Sequence, residues 1–124
     1  VINTHISFIA TALVTLLGGW NMPLQILITF VILDYLTGVI KAVYLRKLSS
    51  QIGFKGILRK ICIFVVIATA TQIDCLISQN APVIRTAVIF FYVNNEIISM
   101  LENLAQMDVP IPSIIREKLE SIKK

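Results

Sequence analysis

The chain has 124 residues, enough for one domain, and 56% of them are hydrophobic while only 15% are charged. Soluble domains carry about a quarter charged residues, and the mean hydropathy of +0.84 points the same way. This composition leaves no room for a soluble catalytic domain and predicts an integral membrane protein. The formal net charge of +4 indicates no nucleic-acid partner, because membrane topology and anionic headgroups account for such an excess.

The first apolar block covers residues 2–17 and ends at a Gly18-Gly19-Trp20-Asn21 turn. His5 is the one titratable side chain before Asp34. Rich in Thr, Ser and Ala, the block is barely long enough to cross a bilayer, so it could also lie along the interface or act as a signal segment. It lacks a basic n-region and a clear A-x-A site. We therefore favour a true span.

Three longer blocks follow, at residues 24–45, 61–78 and 83–105. A basic polar segment, 46–60, separates the first two, an uncharged turn at 79–82 the next, and prolines at 110 and 112 end the last. We predict an all-α bundle of four, possibly three, transmembrane helices. Residues 1–108 form the membrane domain and 109–124 an amphipathic tail. The apolar face of its helix would consist of Ile114, Ile115, Leu119 and Ile122.

Positive charge defines the expected orientation, since basic loops stay cytoplasmic. The tail holds four basic residues, and the two remaining turns are uncharged. We therefore expect the tail and the segment 46–60 on the cytoplasmic side. The basic residues of that segment are Arg46, Lys47, Lys55, Arg59 and Lys60.

Each long block carries a polar stripe at helical spacing. A buried Asp costs about 2.5–3.5 kcal/mol on insertion scales, so Asp34 is expected to be functional. Thr, Ser and Gly on such stripes more often serve as contacts between helices. Lys41 would extend to the cytoplasmic surface, although it lies two turns from Asp34 and could approach it. The predicted polar face comprises Asp34, Thr37, Gly38, Lys41, Thr71, Asp74, Ser78, Asn95, Glu96, Ser99, Glu102 and Asn103.

Other chemistries find no support in the sequence. Cys62 and Cys75 are far apart on one predicted helix and cannot pair with each other. His5 is alone, so no metal site is expected. Phosphate-binding loops and nucleophile elbows are missing as well. We expect neither an enzyme nor a cofactor.

Two stretches resemble the bacteriophage holin family, which includes clostridial toxin-secretion holins. The first, ILDYLTGVIKAVYLRKLSSQIGFKGILRK, has an Asp followed four residues later by Gly, then a basic loop. The second, NNEIISMLENLAQMDVPIPSIIREKLE, ends in a Val-Pro-x-Pro junction and a charged tail. Together with the span between them they cover residues 32–120. The resemblance marks Asp34, Gly38, Gly56, Arg59, Lys60, Asn95, Glu96, Glu102, Asn103, Pro110 and Pro112.

The resemblance implies a homo-oligomer in the bacterial cytoplasmic (inner) membrane that opens lesions and releases an endolysin or a large toxin. In the closed state Asp34 would be protonated, hydrogen-bonded or paired with Lys41, and in a hydrated ring it would face water. Two other hypotheses remain open. One is a small ion-coupled transporter or channel, with Asp34 and Glu96 binding the ion. The other is a non-conducting membrane scaffold that docks a partner through the basic loop and tail.

Overall fold

A computed structural model describes residues 2–77 and 81–123 of the chain. The described residues form five helices and no strand: α1 (Ile2–Leu16), α2 (Met22–Tyr44), α3 (Ser50–Ile77), α4 (Val83–Gln106) and α5 (Ser113–Lys123). The predicted all-α fold is confirmed. The predicted short C-terminal helix is present as α5.

Three of the helices, α2, α3 and α4, are long and apolar enough to cross a membrane. The first apolar block forms the shorter helix α1, whose 15 residues extend about 22 Å at 1.5 Å per residue. A spanning helix needs about 20 residues. The bundle that the described residues build therefore has three membrane-long helices, and α1 contributes no buried residue to it.

The predicted basic loop is much shorter than expected. The structure places the start of α3 at Ser50, so 11 of the 15 residues of the segment 46–60 are helical. The Ser49 hydroxyl accepts the backbone N–H of Ile52, as an N-cap side chain does. Gly53 and Gly56 both lie against the Tyr35 side chain. An added Cβ would be 3.4 Å from its hydroxyl oxygen at Gly53 and 3.6 Å from its ring at Gly56. These two glycines of α3 allow α2 and α3 to approach each other.

Buried positions recur every three or four residues along the three long helices, the period of coiled-coil-like packing. The central layer of the bundle is apolar and joins all three helices. It contains Leu27, Val31, Ile63, Ile67, Ile89 and Val93. Helices α2 and α4 form the most extensive interface, and α3 packs mainly on α4. Since α3 returns across the bundle, α2 and α4 run in the same direction.

Helix α4 ends where the sequence predicted a stop. Asp108 adopts a left-handed conformation, with φ of 61°, and the N–H of Val109 bonds to the Leu104 carbonyl, a common way of closing a helix. The two prolines of the next four residues prevent continuation. Helix α5 begins directly after them.

Candidate functional site

A charge cluster lies on one side of the apolar layer. The Lys60 ammonium is 2.7 Å from a carboxylate oxygen of Asp34 and 2.7 Å from one of Glu96. Each of the three residues comes from a different long helix. Asp34 and Glu96 are buried, with relative exposures of 8% and 6%. One partly buried cation thus links α2, α3 and α4.

Asn103 completes this cluster from the C-terminal half of α4. Its amide nitrogen is 3.0 Å from the second carboxylate oxygen of Asp34, 3.2 Å from the Asp34 carbonyl and 3.0 Å from the Thr37 hydroxyl. Both carboxylate oxygens of Asp34 therefore accept a hydrogen bond, one from Lys60 and the other from Asn103. We refer to Asp34, Lys60, Glu96 and Asn103 as the charge cluster.

The helical repeat explains why these side chains meet. In α2 the buried positions are 24, 27, 31 and 34, in α3 they include 63, 67, 70 and 74, and in α4 they are 85, 89, 93, 96 and 103. Lys60 stands three residues before Ile63, so it continues the buried row of α3. Each charged residue occupies a position where the repeat would otherwise place an apolar side chain.

The energetics of the charge cluster are finely balanced. Several kcal/mol of desolvation oppose the burial of each ion, and removing one partner of a buried pair destabilises by about 3–5 kcal/mol. When all three groups are ionised, two carboxylates share one ammonium and the cluster has one excess negative charge. In the closed bundle these charged side chains have partners within the protein, and in an open state water would solvate them instead.

A second group of polar residues lies at the opposite end of the apolar layer. The two Asp74 carboxylate oxygens accept the backbone N–H groups of Ile84 and Arg85, each at 2.8 Å. Asp74 thereby caps α4 from α3, since Pro82 at the N-cap position makes no side-chain bond. This is the stabilisation that the free N–H groups of a helix start require.

Arg85 ties the end of α1 to the same place. The guanidinium donates to the carbonyls of Leu17 and Gly19, and only 1% of the residue is exposed. Its neighbour Gly18 has φ of +92°, and a Cβ there would collide with Arg85 Nε. We refer to Asp74 and Arg85, with the 17–19 backbone that they organise, as the cap cluster.

The structure brings some predicted polar residues together and separates others. Asp34, Thr37, Glu96 and Asn103 meet in the charge cluster, and Gly38 lies beside it, 3.6 Å from Asn103 as measured from an added Cβ. Asp74 belongs to the cap cluster, with Thr71 next to Gly18. Ser99 is half-buried on α4. Ser78 lies outside the described residues.

The predicted stripe on α4 is partly wrong. Asn95 and Glu102 are exposed, whereas Glu96 and Asn103, the next residue in each case, are buried. One residue rotates a side chain by about 100° around the helix, since there are 3.6 residues per turn. In each pair both residues are polar. The buried positions 89 and 93 continue at helical spacing to 96, so Glu96 is the buried member of its pair.

Of the three states expected for Asp34, the structure shows a hydrogen-bonded carboxylate and does not show the pairing with Lys41. Lys41 is half-buried and forms no ion pair with the residues described, while Lys60 occupies the position beside Asp34. Lys60 itself had been assigned to the cytoplasmic loop with Lys55 and Arg59. All three are on α3, and Lys55 and Arg59 are exposed. Only Arg46 and Lys47 remain in the connection between α2 and α3.

Lys60 and Arg85 are the cluster members whose role the sequence reasoning missed. Each extends a three-four row of buried residues, Lys60 towards Ile63 and Ile67 and Arg85 towards Ile89 and Val93. The sequence contains that spacing, but it does not show which row is buried, because positions that face lipid are equally apolar. Within the described part of the chain no group of three or more His, Cys, Asp or Glu side chains could hold a metal ion.

A bundle of three membrane-long helices with a buried ion pair network defines an integral membrane protein. Comparison with protein families then identifies it further, because residues 11–124 match the bacteriophage holin family. The chain belongs to that family. Its holin resemblance, noted from two sequence stretches, is confirmed over almost the whole chain. Family membership is consistent with a membrane protein that has no enzymatic activity.

Relatives come from both bacteria and a phage. An uncharacterised protein of Clostridium perfringens strain 13 is 41% identical over 121 residues, 98% of this chain and 90% of the relative. A second Clostridium perfringens protein of 14.9 kDa is 40% identical over 92% of this chain and 86% of its own length. A probable holin of Bacillus phage phi105 is 38% identical over 81% of this chain and 73% of its own length. No solved structure matches the chain.

Proposed function

We propose that this protein is a holin that oligomerises in the bacterial cytoplasmic (inner) membrane and opens lesions through which an endolysin or a large toxin leaves the cell. Family membership supports the general function. The observation that supports the mechanism is the charge cluster, in which Lys60 pairs with both Asp34 and Glu96 inside one copy.

The cluster gives a physical account of the harmless state. Polar groups exposed to lipid are unfavourable, so they turn towards one another or towards water. Here one chain satisfies the acids of α2 and α4 with the lysine of α3, and Asn103 bonds to Asp34 as well. A single copy can therefore accumulate in the membrane without opening a path for water.

Opening would exchange these intramolecular contacts for water. If the three helices separate, each presents one charged side chain of the cluster at mid-helix depth. A ring of several copies would turn these side chains to a water-filled lumen. The excess charge also couples the cluster to the membrane potential, at about 2.3 kcal/mol per charge for each 100 mV. Accumulation and the membrane potential would then both shift the balance between the closed and open states.

The proposal includes an orientation that a reporter can test. The connection between α2 and α3 contains Arg46 and Lys47, and α3 extends about 42 Å for its 28 residues, longer than the roughly 30 Å hydrocarbon core. Its exposed Lys55 can therefore lie at the headgroups. Reporters inserted near Ser50 and fused after residue 124 should both be cytoplasmic. A periplasmic signal from either would contradict this orientation.

The decisive test is inducible expression with an endolysin, comparing lysis time and membrane abundance for variants at position 34. In Asp34→Leu, Lys60 keeps Glu96 as its partner, so we expect normal abundance and oligomerisation. The variant lacks the carboxylate whose hydration would stabilise the open state, so we expect no endolysin release. Asp34→Asn keeps a hydrogen-bonding group and should release endolysin at an altered time.

Asp108→Asn serves as the matched control, because it also removes one carboxylate but from the exposed end of α4, where Asn tolerates a left-handed backbone. It should lyse cells on the wild-type schedule. Lysis by Asp34→Leu on that same schedule would show that Asp34 takes no part in opening. Failure of the wild-type chain to release endolysin would refute the holin proposal itself.

Ion-coupled transport retains one supporting observation, since Asp34 and Glu96, the two acids that would bind the ion, do lie around one site. The same expression experiment separates the two functions. A transporter would change ion gradients in proportion to its amount and keep cytoplasmic enzymes inside. A holin releases them abruptly.

A further inference from the structure

An apolar groove of about 490 Å³ separates α5 from the bundle. Phe30, Ile97 and Leu101 line its inner wall, and Ile114 and Leu119 line the wall formed by α5. The groove is within the usual size of small-molecule sites, about 300–1,000 Å³. The two walls face each other across an open space, so α5 does not close directly onto α4.

Among the described residues that line this groove, one carries a charge. Lys118 of α5 is among its lining residues, while the neighbouring Arg116 is not. A long apolar slot with an ammonium group at its edge matches a molecule with an apolar chain and an anionic head. Lysines near a membrane surface add about 1 kcal/mol each to the attraction for anionic lipids.

The position of the groove along the membrane-long helices indicates that such a molecule would come from the bilayer. Its inner wall contains Phe30 of α2 and Ile97 and Leu101 of α4, and both helices are long enough to cross the membrane. The groove then extends through the 109–112 connection to α5, where the chain becomes charged. It therefore runs from bilayer interior to headgroup level, as a phospholipid does.

We propose that this groove is a binding site for an anionic phospholipid, with one acyl chain between α4 and α5 and the phosphate at Lys118. The bound lipid would fill the space between the apolar face of α5 and the bundle and hold the tail helix in place. This site is distinct from the charge cluster and does not depend on lesion formation.

Native mass spectrometry of the full-length protein tests the site directly, because it resolves bound lipids and bound copies by mass. The protein is released from micelles that contain phosphatidylglycerol and phosphatidylcholine at equal concentration. We expect one phosphatidylglycerol to be retained preferentially. Lys118→Gln should lower that retention at least fivefold. Arg116→Gln makes the same change of charge two residues earlier in α5 and should leave the retention within twofold of the wild type.

A second pair of variants tests the apolar wall. Leu101→Trp fills the groove and should remove the retained lipid, whereas Ile40→Trp adds the same bulk on an exposed part of α2 outside the groove and should not. Circular dichroism confirms that all four variants stay helical. Equal retention by Lys118→Gln and Arg116→Gln, or retention by Leu101→Trp, would overturn the proposal. Dimers that Leu101→Trp alone removes would assign the groove to a second copy instead.

Discussion

The two polar clusters of this bundle lie at opposite ends of the same apolar layer, yet they satisfy their charges in different ways. In the cap cluster, Asp74 and Arg85 bond to backbone groups that helix ends leave free. In the charge cluster, Lys60 pairs with the side chains of Asp34 and Glu96 in mid-helix, where the backbone already has its hydrogen bonds. The cap cluster meets a need of the fold. The charge cluster meets no such need. Because the burial of its charges is opposed by desolvation, its presence indicates a function.

The largest expected effect comes from removing the shared cation. Lys60→Met leaves two buried carboxylates without a counter-charge, and we expect a loss of about 3–5 kcal/mol of bundle stability. Thermal unfolding of the detergent-solubilised protein by circular dichroism measures it. Lys55→Met, a matched change on an exposed turn of the same helix, should unfold close to the wild-type temperature.

A combined variant sharpens the same comparison. Replacing a whole buried ion network by apolar residues is often neutral or stabilising, so the triple change Asp34→Leu, Lys60→Met, Glu96→Leu should recover the stability that Lys60→Met loses. We expect this variant to accumulate but not to release endolysin. Recovery of both stability and release would remove the charge cluster from the mechanism.

The next effect is expected at the cap cluster. Gly18→Ala places a methyl group against Arg85 at a positive φ, whereas Gly19→Ala meets no atom within 4 Å at a similar φ of +104°. Both variants carry the backbone strain, of about 1–3 kcal/mol, and only the first displaces the guanidinium. Gly18→Ala should therefore unfold at a lower temperature than Gly19→Ala. Equal unfolding temperatures would mean that the Arg85 guanidinium can move away from the new methyl group without a loss of stability.

The smallest effect should come from the cap of α4. Asp74→Ala removes the acceptor of two backbone N–H groups and should reduce stability by about 0.5–2 kcal/mol, the range for loss of a helix cap. Asp74→Asn keeps one acceptor oxygen and should lose less. In the lysis assay both variants should keep the wild-type schedule once abundance is matched. A large shift in lysis time for Asp74→Asn would give the cap cluster a role in opening.

The sequence by itself determined the membrane class, the long helices, the tail helix and the need of Asp34 for a partner. These follow from hydropathy, length and proline positions, which are local properties. The tertiary structure decided the partners: Lys60 in place of Lys41 for Asp34, and Glu96 in place of Asn95 on α4. The physical reason is that lipid is as apolar as the bundle interior. A hydrophobic face therefore does not reveal which side of a helix is buried, and only the packing of three helices places Lys60 between two acids that are far from it in the chain.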